Sequence, residues 1–322
     1  MRTIRLCVVT ALALFAFARI AAAEPLLIQI GHGPAGEEQL WLMKARPDIT
    51  PNQGKIYNLE WHLFGGAEPR FKAFDAGDLD IATASGASAL FAASKGVPFK
   101  LIASISMEST KGFNAHFMVR EDSPIHGFAD LKGKIMAVNA YKSGTELWER
   151  IAAVKGGLDP DKDVKFAVVG FPNMGNAVRS KLIDVGSFGG VFYYNENKQG
   201  GLRTIFTTKD IIPEDEELQM ILTHQEFIDK HRAVVKAFLS DFVASTKWFT
   251  EHTKESREDL IKAQMVLLKP EEFLPSPEMY RKPSGKPSIA DLEIQQDVLL
   301  KYGFQDTKVK VADYVDDTLV PQ

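Results

Sequence analysis

Two short polar runs offer this chain's clearest chemistry: Ser85-Gly-Ala-Ser88 and Lys142-Ser-Gly-Thr145. Each follows an apolar stretch and opens a helical one. The first N–H groups of a helix have no intrahelical acceptor, and hydroxyls beside them add rotatable donors, so such a start can seat a small anion. Plain N-capping uses the same residue types. Because the run recurs at equivalent places in two halves of the sequence, it reads as a binding element, with Ser85, Gly86, Ser88, Lys142, Ser143, Gly144 and Thr145 as ligand-binding candidates.

A third loop, Gly31-x-Gly33-x-x-Gly36, matches the dinucleotide fingerprint in letters. Pro34 removes an N–H from the turn that would cradle phosphate, and Glu60 sits mid-strand where an acidic strand end is required. His32 and Gly33 therefore read as part of a ligand loop in a cleft. None of the seven histidines has metal-ligand spacing. His32 at a strand end and His116 after the crossover Lys111-Gly-Phe113-Asn114 are the two placed to line a cleft, with Phe113 and Asn114 beside the latter. No G-x-S-x-G elbow is present, and the pair Asp78 and Asp80 begins a strand, where carboxylates fix turns. The acidic run Glu214 to Glu217 reads as a solvated loop. Binding without turnover, with no cofactor and no metal, is the expectation.

The elements that position these loops alternate. Apolar strands at Leu26 to Ile30, Tyr57 to Phe64, Leu79 to Ala84 and Phe99 to Ile105 are separated by helical segments; a second set follows at Ala115 to Arg120, Lys134 to Asn139, Val164 to Val169, Asp184 to Phe188 and Leu202 to Thr207. That alternation predicts an α/β fold with mostly parallel sheets covered on both faces. The stretch Ala76 to Ser85 echoes Arg179 to Ser187: a helix, an Asp beginning a strand, and a small hydroxyl residue at its end. Two similar lobes facing across a cleft would produce this echo. A strand at Gln219 to Leu222 precedes a long helix whose start, Thr223-His-Gln-Glu226, has the form of a capping box. The proline-rich stretch Lys269 to Ser288 reads as an irregular connection between C-terminal helices.

Residues 1–23 read as a secretory signal, with Arg2 and Arg5 ahead of a short apolar run and Ala21-Ala22-Ala23 as the cleavage site. The only cysteine, Cys7, falls inside it, so the mature chain has neither a disulfide framework nor a thiolate nucleophile. Its charge balance is 35 basic residues against 42 acidic ones, without a polybasic patch. Nucleic acid is not an expected partner, and any anionic ligand must be held by local donors.

The runs Phe74 to Ala82, Asp122 to Asn139 and Gln225 to Leu239 resemble those of the periplasmic solute-binding proteins of ABC importers, in the branch that takes up aliphatic sulfonates, taurine, nitrate and thiamine-pyrimidine precursors. The resemblance covers nearly the whole mature chain. It implies a periplasmic binding protein type II fold, with two α/β lobes on two crossing strands and a ligand cleft at the hinge: lobe 1 at 24–112 plus 218–322, lobe 2 at 113–217. It also implies binding loops at His32 to Pro34, Phe64 to Gly66, Ser85 to Ser88, Ser143 to Thr145 and Ser187 to Gly189, which adds Phe64, Gly65 and Phe188 to the candidates. Two departures are Lys181, where the family has Gly, and Phe188-Gly189, where many relatives have a tryptophan. On this reading Ser85, Ser88, Ser143 and Thr145 donate to an anionic head group, a sulfonate, carboxylate or related group, while Phe64, Phe113 and Phe188 pack the remainder. The partners implied are a small-molecule ligand, an ABC permease and its ATPase, with the chain a periplasmic monomer. An exported enzyme on the same fold, or the binding module of a membrane sensor, are the alternatives.

Overall fold

The structure, a computed structural model, describes residues 24–266 and 268–321; the expected signal segment lies outside the described residues. Its strands are β1 (Leu26–His32), β2 (Tyr57–Leu63), β3 (Ile81–Ala84), β4 (Lys100–Glu108), β5 (His116–Arg120), β6 (Ile135–Val138), β7 (Lys165–Val168), β8 (Val185–Phe188), β9 (Leu202–Thr207) and β10 (Glu216–Thr223). They form two five-stranded sheets, ordered β2-β1-β3-β10-β4 and β7-β6-β8-β5-β9.

Within each sheet the first three strands are parallel and the other two pairings antiparallel. The expectation of mostly parallel sheets therefore fails at β5 and β10. Each of these arrives from the other sheet, β5 directly from β4 and β10 from β9 through the four-residue helix Thr208–Ile211, so no crossover helix within its own sheet sets its direction.

The two sheets are built alike. Asp80 Oδ2 accepts from the backbone N–H of Gln29 at 2.8 Å, and Asp184 Oδ2 from that of Ile135 at 2.9 Å. Each carboxylate at a strand start thus pins the neighbouring strand. The turn before it is left-handed in both, at Gly77 (φ 81°) and at Lys181 (φ 64°). Glycine adopts that conformation freely and lysine does not.

The core of the first sheet lies under Glu38–Ala45 and the long helix Gln225–Glu251. Val235, Phe238, Leu239 and Phe242 of the latter are fully buried with Ile28, Ile30 and Ile102. The capping box expected at its start does not form: the N-cap is His224, whose side chain caps nothing and bonds the Phe74 carbonyl at 3.0 Å, and Thr223 Oγ1 donates to the Asp80 carbonyl at 2.6 Å. His224 instead stacks on Phe74 at 3.8 Å.

The run Glu214 to Glu217 is a solvated loop only in its first half, at Glu214 and Asp215; Glu216 and Glu217 belong to β10 and are buried. Glu216 accepts from Trp148 Nε1 at 3.2 Å, and Glu217 from Ser104 Oγ, Lys282 Nζ and the Ser288 N–H. Partners distant in sequence make these carboxylates tolerable inside.

Candidate functional site

In each sheet the strand order reverses beside its first parallel strand, between β1 and β3 and between β6 and β8. Loops leaving the carboxyl ends of such strands diverge, and the crevice between them is where α/β sheets receive ligands. Here the crevices of both sheets face one cavity, with about 1170 Å³ of empty space including its open mouth. Gly33 to Gly36 after β1, Gly65 to Ala67 after β2 and Ser85 after β3 line it from the first sheet; Asn139 and Ser143 to Thr145 after β6, with Ser187 near the end of β8 and Gly189 and Gly190 after it, line it from the second. Glu108, Ala115, Leu218 and Gln219, beside the connections between the sheets, complete the wall together with Ser276 to Met279 and Arg281.

Arg70 is one of three arginines on this wall. It lies in the helix Ala67–Asp75 and is only 4% exposed. Its Nε and Nη1 are buried with no hydrogen-bond partner among the described residues. Glu37 Oε1 stands 4.0 Å from Nη1 but is already occupied by the Gly33 N–H at 3.1 Å and Thr83 Oγ1 at 2.7 Å. Burial lowers the Arg70 pKa, without discharging a guanidinium, and raises that of Glu37 against the pull of Arg70. The glycines of the fingerprint-like loop make this placement possible. A Cβ on Gly33 would come 2.9 Å from both Arg70 Nη1 and Glu37 Oε1, and one on Gly31 would come 3.4 Å from Arg70 Cγ and 2.5 Å from Leu79. Their spacing serves an arginine, where the letters suggested a pyrophosphate.

Of the sequence-derived candidates, Gly33, Gly65, Ser85, Ser88, Ser143, Gly144 and Thr145 line the cavity. The hydroxyl hydrogens among them are spent inside the protein. Ser85 Oγ donates to Ser88 Oγ at 2.9 Å, Ser143 Oγ to the Ala140 carbonyl at 2.6 Å, and Thr145 Oγ1 to Asn139 Oδ1 at 2.7 Å. Ser88 Oγ donates to the Lys142 carbonyl at 2.9 Å, a bond that joins loops of the two sheets. In the structure these four hydroxyls order the loops. What the helix start at Gly144 can offer a ligand is its backbone N–H groups.

The other candidates are not on the cavity wall. His32 lies behind it, edge-on to Trp41 and Trp61 at 6.1 and 5.6 Å, with Nδ1 3.0 Å from the Gly33 carbonyl. Burial lowers its pKa to about 4, so the ring is neutral and donates that bond. Phe64 packs on the core of the first sheet and Phe188 is fully buried in that of the second. A Cβ on Gly86 would meet Gln295 Oε1 and the Glu217 carbonyl at 2.5 Å, so this glycine serves packing. Phe113 and His116 form a stack with Tyr193 at the connection between sheets, His116 lying 4.0 Å from Tyr193, and Asn114 stands between them in sequence without reaching the cavity. Lys142 contributes backbone only; its ammonium lies over Phe91 and Phe304 at 5.1 and 5.0 Å.

Sequence reasoning missed Arg70, Glu108 and the C-terminal wall. Arg257 and Arg281 both bond Glu278, and Arg281 also bonds Glu38 and, through Nε, Gln39 Oε1 at 2.8 Å. The apolar face of the cavity is not Phe64, Phe113 and Phe188 but Trp148, Met279 and the stacked pair Phe171 and Phe192, whose rings lie 5.2 Å apart. Glu108 is fully buried; Oε2 accepts from the Ala115 N–H at 3.1 Å and Thr208 Oγ1 at 2.5 Å, while Oε1 has no partner among the described residues. Burial raises its pKa, and raises that of Glu216 to about 7 despite Lys209 Nζ at 3.6 Å.

A family model described as NMT1/THI5 like matches residues 65–256. No curated protein matches the sequence. Among solved structures, the periplasmic aliphatic sulphonate binding protein SsuA from Escherichia coli is similar, with a TM-score of 0.71, 18% identity, and coverage of 91% of this chain and 92% of that one. The alkanesulfonate-binding protein SsuA from Xanthomonas axonopodis pv. citri, bound to MOPS, gives a TM-score of 0.73 and 18% identity over 92% of this chain and 100% of that one. The periplasmic nitrate-binding protein NrtA from Synechocystis PCC 6803 gives 0.73 and 14% identity over 92% of this chain and 87% of that one. The fold is thus that of the periplasmic binding proteins, two α/β lobes, as the sequence resemblance implied.

Proposed function

The chain belongs to the NMT1/THI5-like family, and from that premise we propose that it is the periplasmic solute-binding component of an ABC importer. It captures a small organic molecule bearing an anionic group, a sulfonate, carboxylate or relative, and hands it unaltered to a membrane permease served by an ATPase. The observation that carries this reading is Arg70: a buried guanidinium, without hydrogen-bond partners for Nε and Nη1 among the described residues, on the wall of a cavity shared by two lobes. An anionic group would supply charge-assisted bonds that the fold leaves unmade, each worth about 1.5–3 kcal/mol. Three such bonds approach the roughly 8 kcal/mol of a micromolar complex. The lobes are 24–112 with 218–322 and 113–217, and they close on the ligand about the two connections between the sheets. Export by the segment 1–23 places the protein where a permease can meet it. Holding, not conversion, fits a cavity whose buried arginines and glutamates are fixed by one another on the C-terminal side.

The test is to purify the mature protein from its own host, release any retained molecule, and identify it by mass spectrometry before and after prolonged incubation. Recovery of an unchanged acid that rebinds in calorimetry is the expected result. Chemical conversion during incubation, or a protein that neither retains nor binds any small molecule, overturns the proposal.

A further inference from the structure

We infer that the molecule held in this cavity is dipolar, with an anionic group against Arg70 and an N–H donor, a protonated amine, against Glu108. The inference rests on the capture reading above and concerns which molecule is captured. Six charged side chains stand on the wall: Arg70, Arg257, Arg281, Glu38, Glu108 and Glu278. Four of them carry an opposite charge in direct hydrogen-bond contact, since Arg257 and Arg281 bond Glu278 and Arg281 bonds Glu38, although Arg257 Nε itself stays unpartnered among the described residues. The two left over are of opposite sign. Among the described residues, Arg70 keeps Nε and Nη1 buried and without a hydrogen-bond partner, and Glu108 keeps Oε1 in the same condition.

Buried charged atoms without a partner are rare in folded proteins unless something outside the fold supplies the contact. The neighbours of these two groups make no hydrogen bond to those atoms. Glu37 offers Arg70 only a loose ion pair at 4.0 Å, its Oε1 occupied by Gly33 and Thr83, and the donors on Glu108 all reach its other oxygen. The wall holds equal numbers of acids and guanidiniums. A plain anion would satisfy Arg70 and leave Glu108 facing like charge; a plain amine would do the reverse. A molecule carrying both groups satisfies both. Phe171, Phe192 and Met279 give much of the remaining wall an apolar character, which suits a hydrocarbon body joining the two ends.

The experiment uses matched sets of three probes: ethanesulfonate, 2-aminoethanesulfonate and ethylamine; pentanoate, 5-aminopentanoate and pentylamine; benzoate, 4-(aminomethyl)benzoate and benzylamine. The mature protein is screened by thermal shift and the responders titrated by calorimetry. In at least one set the dipolar member binds at least about tenfold tighter than both singly charged relatives. Glu108→Gln, which keeps the side chain's shape, removes the advantage of the amine and, because the like charge is gone, leaves the plain acid bound as tightly as before or more tightly; Arg70→Gln weakens acid and dipolar member alike by about tenfold or more. Unfolding melts at the wild-type temperature show that each variant is folded. A plain acid that binds as well as its dipolar partner, or a Glu108→Gln effect equal on every probe, overturns the inference. Should no probe bind, the molecule released from the host-purified protein decides: one without an ionisable nitrogen overturns the inference alone, whereas no retained molecule at all overturns the capture reading beneath it.

Discussion

Arg70 reaches the cavity only because Gly31 and Gly33 have no side chains, which ties an affinity to a steric condition. Arg70→Lys keeps the charge but loses the planar fork, and calorimetry with the retained ligand should show affinity falling about tenfold or more. Gly33→Ala forces the guanidinium or Glu37 aside; the expected outcome is a comparable loss of affinity with about 1–3 kcal/mol of destabilisation in urea melts. Unchanged binding in either variant would remove Arg70 from the site. The loops at Gly33, Ser85 and Ser143 were legible in the sequence because glycine and hydroxyls at strand ends announce themselves. Arg70 was not, since arginine is ordinarily an exposed residue and its helix also carries Glu68 and Lys72. A signal was there: Arg70 lies four residues before the fully buried Phe74 and so shares its inward face. The opposite error occurred at Phe188, whose aromatic ring suggested a pocket wall and proved to be core.

Between residue and fold, the repeated device of a carboxylate pinning the next strand makes a paired prediction. Asp80→Ala and Asp184→Ala should each cost about 1–3 kcal/mol in chemical denaturation, because each leaves a strand N–H without its acceptor. Lys181→Gly should do the reverse and add a few tenths to about 1 kcal/mol, since the lysine is held at φ 64° in a turn where the matching position is Gly77. A destabilised Lys181→Gly would mean that the lysine side chain contributes more than its backbone costs. The strands and the internal echo were readable because apolar runs and turn residues are local signals. The direction of β5 and β10 was not, because it depends on which sheet the preceding strand occupies. The helix Gly190–Gln199 was missed for a related reason: only Gly190 of it is buried, so its sequence carries no apolar stripe.

At the scale of the whole molecule, two buried groups set opposing pH dependences. His32 has its pKa lowered to about 4, so on acidification from about 6.5 the unfolded chain takes up a proton that the native one refuses. Native stability then falls as pH drops through that window, by about 3 kcal/mol in all. Glu216 has its pKa raised to about 7, so the native chain holds a proton that the unfolded one has released above about 4.5, and its stability contribution is lost as pH rises toward 7. His32→Gln should flatten the acid limb of a Tm-against-pH curve, and Glu216→Gln should raise Tm more at about pH 8 than at about pH 5. A curve unaltered by either change would show that other groups govern it. The two-lobe plan was visible from the echo and the family runs, but the cavity's third wall was not, because Ser276 to Met279 and Arg281 come from a proline-rich stretch with no periodicity. That wall has a consequence for biogenesis. Leu26 begins the first strand, yet the compartment is incomplete until Arg281 meets Glu38 and Gln39. A chain that has not yet placed Arg281 therefore encloses nothing, however complete its two sheets, so both ends of the polypeptide must be folded before any solute can be held.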